Sequence, residues 1–321
     1  MSGTTIYITE QGLKIHKEHG RLVLTKNGKV IEEIPFFKVE RVFIFGNIQI
    51  STQAISSFLE QGIIVSFFAI NGKFKGILQP VESGNAFLRI AQYERYLDKN
   101  FRLETAKSFV FAKIKNMITL LKLICENHKE FCFDEKVLRM ENTLSSVEKV
   151  DTLPQLLGLE GSSTSIYFSC ISSIVREKFN FTTRTHHPPK DPFNALLSFG
   201  YALLTNELFS ILSGFGFDPY IGFYHELSYA RPSLAIDLIE EFRAPVIDHL
   251  VLNIVDLKII KETDFEEKED AFFLNDSARK EFFARYNKTI NEFKNTIKEQ
   301  VQKMYHSILE GINYEPFTWR P

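Results

Sequence analysis

The chain has 321 residues, 44% hydrophobic and 24% charged, with a formal net charge of −2. That composition is globular and long enough for two cores. It excludes a nucleic-acid partner captured by the overall field, so any such partner must be held by a local basic surface.

The first eighty residues read as strands. Thr4 to Ile8 and Arg21 to Thr25 are β-prone, and Asn27-Gly28 is a hairpin turn signal leading into Val30 to Ile34. Val39 to Phe45 and Ile48 to Ser51 extend again, and His16 and His19 fall in a turn between strands. Ser51 or Thr52 caps a short helix carrying Ala54, Ile55, Phe58 and Leu59. Ile63 to Phe68 is a buried strand, and Asn71-Gly72 turns into Phe74 to Leu78.

Residues 79–85 contain Pro80, Gly84 and polar side chains, and the periodicity changes across them. From Ala86 onward the pattern is helical. Asn194 to Phe217 is apolar on most sides but is interrupted by Asn206 and Glu207, which suits a central core helix better than a membrane span. Glu262 to Asp270 is acidic and reads as a solvated loop. Ile290, Phe293, Ile297, Val301, Met304 and Ile308 mark a last helix, stopped by Gly311. The fold class is therefore α+β: a β-rich domain over residues 1–82, then an all-helical domain over residues 83–321.

The 31 phenylalanines read as core filling. Cys125, Cys132 and Cys170 form no C-x-x-C pair, and their odd number argues against a disulfide framework. With no secretory signal at the N-terminus, the expected setting is reducing and cytoplasmic.

Two acidic segments flank a lone histidine. Glu160 lies in Gly158-Leu159-Glu160-Gly161, His225 ends Gly222-Phe223-Tyr224-His225, and Asp237, Glu240 and Glu241 follow Pro232 on a helix. One imidazole with several carboxylates is a hard ligand set, suited to a divalent metal that handles phosphate. Each part also has an ordinary explanation. The three acids of the helix would make a solvated face, the glycines around Glu160 a turn, and His225 a satisfied structural histidine. Arg176, Lys178, Arg184, His186, His187 and Lys190 form a basic stretch that is either a solvated loop or a clamp for a phosphate backbone. Asn194 is either a structural polar residue or a neighbour of the site.

These segments together resemble the CRISPR-associated integrase of spacer acquisition, Cas protein number one. The resemblance rests on Val39 to Gly46, Ser51 to Ile55, Gly62 to Phe67, Leu88-Arg89 and Gln92. It continues through Gly158 to Gly161, Pro188 to Tyr201 and Gly222 to Arg243, and so runs over nearly the whole chain.

The resemblance implies a β-rich domain that forms a two-fold homodimer and a helical catalytic domain. It also implies Mg²⁺ or Mn²⁺ held by Glu160, His225 and Glu240. Asp237 matches an acid that supports the site, and Arg243 a basic position near the reacting DNA. Arg89, Arg184, Lys190 and Arg243 are the expected DNA contacts. The implied reaction is attack of a DNA 3′-hydroxyl on a phosphodiester of the CRISPR repeat, with endonuclease activity as its hydrolytic counterpart. The implied partners are double-stranded DNA and the small adaptation subunit, Cas protein number two, with no membrane. A repair or transposon nuclease, or a catalytically silent DNA-binding scaffold, are the alternatives.

Overall fold

Among the described residues, eight strands, one α-helix and a 3₁₀ turn (Phe36–Lys38) form the first of two units, Met1–Ser83; the second is Gly84–Pro321. The computed structural model describes residues 4–70, 74–80, 85–185 and 188–321, without the side chains of residues 176–178.

In the first unit the elements are β1 (Thr4–Ile8), β2 (Lys14–Glu18), β3 (Arg21–Lys26), β4 (Lys29–Pro35), β5 (Val39–Phe45) and β6 (Gln49–Ile50), then α1 (Thr52–Glu60), β7 (Ile64–Phe68) and β8 (Phe74–Leu78). One sheet runs β1-β5-β7-β8, with β5 parallel to both of its neighbours. The other runs β4-β3-β2-β6. Asn27 and Gly28 both have positive φ, 51° and 77°, the requirement of the tight turn that joins β3 to β4. The Asn71-Gly72 turn lies outside the described residues.

Strand β2 corrects the sequence reading. Lys14–Glu18 offers one buried apolar residue, Ile15, and was too polar to read as a strand; His16 lies within it, and only His19 is in the turn. Strand β5 is buried on both faces, as a central parallel strand should be. Val42 and Ile44 join Ala54 and Phe58 of α1, and Phe45 stacks on Phe68 with centroids 4.6 Å apart. Ser51 caps α1 by accepting from the Ala54 N–H. Ten of the twelve largest fully buried side chains among the described residues are phenylalanines, in keeping with core filling.

The second unit holds α2 (Ala86–Leu97), α3 (Lys99–Asn127), α4 (Asp134–Val147), α5 (Leu153–Phe179) and α6 (Pro192–Phe215), followed by α7 (Ser233–Ile239), α8 (His249–Asp256) and α9 (Asp276–Glu310). Helix α6 is long and apolar enough to cross a membrane, yet 78% of its most apolar window is buried inside the protein. Helix α9 ends at Gly311, which takes the left-handed conformation.

The unit is mostly, not entirely, helical. The acidic stretch expected as a loop contributes a strand, β9 (Phe265–Lys268), paired antiparallel with β10 (Ala271–Leu274). Pairing with β10, whose Ala271 and Leu274 are buried, holds the solvated acidic strand in place.

Candidate active site

Helix α5 runs straight through Gly158 and Gly161, where the sequence suggested a turn. Leu156, Ser163, Tyr167, Cys170 and Val175 are buried at helical spacing, so one interior stripe spans both glycines. Glu160 falls on that stripe, four residues after Leu156 and three before Ser163. Its Oε1 accepts from the Thr164 hydroxyl at 2.8 Å.

The acids after Pro232 are not a solvated face. Asp237, Glu240 and Glu241 are 0%, 3% and 0% exposed. Helix α7 ends at Ile239, and a π-helical turn takes over from Arg243 to Asp248. Pro245 lies in this turn; lacking an N–H, it cannot continue regular α-helix hydrogen bonding. The break sends the three carboxylates to three different sets of partners.

Asp237 is an anchor. Oδ2 accepts from the Phe223 and Tyr224 N–H groups at 2.6 and 3.0 Å. Oδ1 accepts from the His225 N–H at 2.9 Å and lies 2.7 Å from His225 Nδ1. This approach needs Gly222, because a Cβ there would lie 2.5 Å from Asp237 Oδ2 and 2.6 Å from the Ser233 carbonyl carbon. The carboxylate fixes the imidazole proton on Nδ1 and leaves the lone pair on Nε2, the arrangement typical of a metal-ligating histidine. That Nε2 lies 3.9 Å from Glu240 Oε1.

Glu240 and Glu160 meet at the ammonium of Lys113, from α3. Lys113 Nζ contacts Glu160 Oε1 and lies 2.7 Å from Glu240 Oε2. The latter contact is a buried ion pair, with Glu240 only 3% exposed. Arg243 reaches Glu240 Oε1 at 3.1 Å. Burial alone would raise the Glu240 pKa, but chiefly Arg243 and Lys113 hold it down to about 2. The same two carboxylates raise the pKa of Lys113 against its burial.

Among the described residues, no three His, Cys, Asp or Glu side chains stand in a ready-made ligand cluster. What the fold brings together is Glu160 and Glu240 on one cation, with the His225 Nε2 3.9 Å from Glu240 Oε1. Two hard carboxylates that converge on one point and an imidazole of fixed tautomer fit Mg²⁺ or Mn²⁺ chemically.

A second layer lies against this centre. Asp248, 4% exposed, accepts hydrogen bonds from the Tyr167 and Tyr201 hydroxyls. The Arg243 and Arg184 guanidinium groups lie over the Tyr201 ring, 4.4 and 5.4 Å from its centroid. Arg184 also donates to Asn194 Oδ1 and Ser198 Oγ. Asn194 is fully buried and binds Thr183, Thr185 and Asp191 as well, so it organises the loop that presents Arg184.

The other two expected basic residues are placed differently. Lys190 is exposed beside Asp191, the N-cap of α6. Arg89 Nε donates to the Gly216 carbonyl at the far end of α6. His186 and His187 lie outside the described residues.

Sequence reasoning missed Lys113, Asp248 and the two tyrosines. Lys113 left a signal: Ala106, Phe109, Val110, Asn116, Met117 and Leu120, its neighbours at helical spacing, are all buried. A lysine in the middle of such a stripe needs a partner.

The family model for CRISPR associated protein Cas1 matches residues 6–288. A CRISPR-associated endonuclease Cas1 from Moorella thermoacetica is 34% identical over 90% of this chain and 86% of its own length. A Cas1 protein from Thermotoga maritima has the same fold, with a TM-score of 0.85 and 26% identity over 99% of this chain and 100% of that one. A casposase bound to its integration product shares the fold at 23% identity, with a TM-score of 0.86 over 99% of this chain and 94% of its own. The chain belongs to the CRISPR-associated Cas1 family of endonucleases.

Proposed function

We propose that this chain is a divalent-ion-dependent integrase and endonuclease of CRISPR adaptation, inserting short duplex DNA into the repeat array. The observation that carries this reading is the meeting of Glu160 and Glu240 on one cation, with the His225 Nε2 3.9 Å from Glu240. Glu160, His225 and Glu240 would hold Mg²⁺ or Mn²⁺; when bound, it polarises a phosphoryl oxygen and lowers the pKa of the attacking hydroxyl.

The remaining work falls to the chain's own side chains. Asp237 keeps the His225 proton on Nδ1 and the lone pair on Nε2. Arg243 and Arg184, stacked on one tyrosine, are like charges that a phosphate between them would reconcile. Lys190 and Arg89 extend the basic contacts along the DNA. In strand transfer, the attacking 3′-oxygen forms a new P–O bond and loses its proton. One P–O bond of the repeat breaks, and the departing 3′-oxygen takes up a proton. Hydrolysis replaces the attacking hydroxyl with water.

The first unit serves as the homodimerisation surface, the small Cas2 subunit completes the assembly, and the work takes place in the cytoplasm. The test is transfer of a labelled duplex into repeat DNA in the presence of Cas2 and Mg²⁺ or Mn²⁺. Chelation and Glu160→Ala should each abolish transfer; activity that survives both would defeat the reading. Binding of the duplex should fall steeply with salt, through release of counterions from neutralised phosphates.

A further inference from the structure

We propose that Lys113 is the resident cation of the carboxylate centre: its ammonium competes with a divalent ion for Glu160 and Glu240 and thereby sets the ion concentration at which the centre loads. This inference rests on the proposed ion site and adds to it a residue outside the expected ligand set.

The geometry favours competition. Lys113 Nζ contacts Glu160 Oε1 and lies 2.7 Å from Glu240 Oε2, so the ammonium takes the place where the two carboxylates converge. The side chain is 13% exposed and rises from a buried stripe of α3, which leaves it little alternative company. Oxygens ligating Mg²⁺ or Mn²⁺ at about 2.0–2.2 Å cannot also hold an ammonium between them.

Charge gives the same answer. Glu160 and Glu240 face two cations, Lys113 and Arg243, and Asp237 behind His225 adds a third carboxylate, so the centre carries one net negative charge. A divalent ion makes it positive by one, and a phosphodiester restores neutrality. Loading is therefore favoured when DNA arrives, and the displaced ammonium is then close enough to pair with the incoming phosphate.

The test is calorimetric titration of the full-length protein with Mn²⁺, wild type against Lys113→Met, which keeps the apolar stem and removes the charge. The variant should bind Mn²⁺ at least ~10-fold more tightly, as expected for lost competition. In EDTA it should melt about 5 °C or more below wild type, because two carboxylates then face each other without the ammonium between them, and Mn²⁺ should restore the loss. Wild-type protein that binds Mn²⁺ as tightly as, or more tightly than, the variant overturns the role of Lys113 and leaves the ion site standing. Absence of Mn²⁺ binding in both proteins overturns the ion site and this inference with it.

A second measurement needs no variant and serves if Lys113→Met does not fold. Acetic anhydride labelling of wild type, read by mass spectrometry, should acetylate Lys113 severalfold faster with Mn²⁺ than with EDTA, relative to the exposed Lys258. Unchanged or slower labelling with Mn²⁺ overturns the proposal.

Discussion

The two units handle buried charge in opposite ways. Among the described residues, the β-rich unit buries one acidic or basic side chain, Arg41, whereas the helical unit buries six: Glu207, Asp237, Glu240, Glu241, Asp248 and Arg279. Burying a charge costs several kcal/mol unless it is well paired, so folding stability alone does not favour such a set. The β-rich unit follows the rules of a stable sheet: alternation, tight turns and an aromatic core. The helical unit departs from the apolar rule chiefly over residues 237–248, which hold four of the six, and that departure is the mark of a site.

The sharpest way to break the contrast is to remove a buried charge whose partners remain. Glu240→Ala leaves Lys113 and Arg243 facing each other without the carboxylate that reconciles them. Strand transfer should fall on the order of 10³-fold, about 4 kcal/mol of transition-state stabilisation. Full activity of this variant in a single-turnover assay would place the chemistry elsewhere.

The matching experiment in the β-rich unit should do the opposite. Phe58 is fully buried, with its ring centroid 5.7 Å from that of Phe36. Phe58→Ala should destabilise the protein by about 3–5 kcal/mol through lost burial and a residual cavity. Mn²⁺ affinity of the protein that remains folded should not change. Denaturant melts and calorimetry check the two halves of this expectation separately.

What the sequence revealed follows the same division. In the β-rich unit, Asn27-Gly28, the Ser51 cap and the strands around Val42 and Val65 were legible, because turn and strand signals are local. Strand β2 was not, because its pairing partners, not its polar residues, make Lys14–Glu18 extended. In the helical unit the residue types Glu160, His225 and Glu240 were legible as ligand chemistry, and the family resemblance singled them out. Their surroundings were not. Glycines masked the continuity of α5, the π-helical turn ended an expected helix early, and Lys113 is 47 residues from Glu160 in sequence. Contacts over such separations leave no short-range pattern.

Asp248 sharpens the contrast through pH. Burial raises its pKa from 3.8 to about 6, against the opposing pull of two tyrosine hydroxyls and two arginines. A carboxyl held above its unfolded pKa binds its proton more tightly when folded. Its contribution is fully present below pH ~4 and is lost as pH rises through about 6, at most about 3 kcal/mol for a shift of this size. The stability of wild type relative to Asp248→Asn should therefore fall between pH 4 and 6 and level off above. A constant difference across this range in urea melts would show that Asp248 titrates normally.

The mildest substitution tests whether Asp237 acts through His225 or merely holds the backbone. Asp237 receives three backbone N–H groups and the imidazole Nδ1, and an asparagine offers only one acceptor oxygen for these donors. Asp237→Asn should weaken Mn²⁺ binding by ~10–100-fold, the range for residues that orient a metal ligand. His225→Ala alone should also weaken it, and the double variant should be little worse than His225→Ala, because the carboxylate has no imidazole left to orient. Fully additive losses would mean that Asp237 serves only the backbone of residues 223–225, and the tautomer of His225 would then have to be set by some other group.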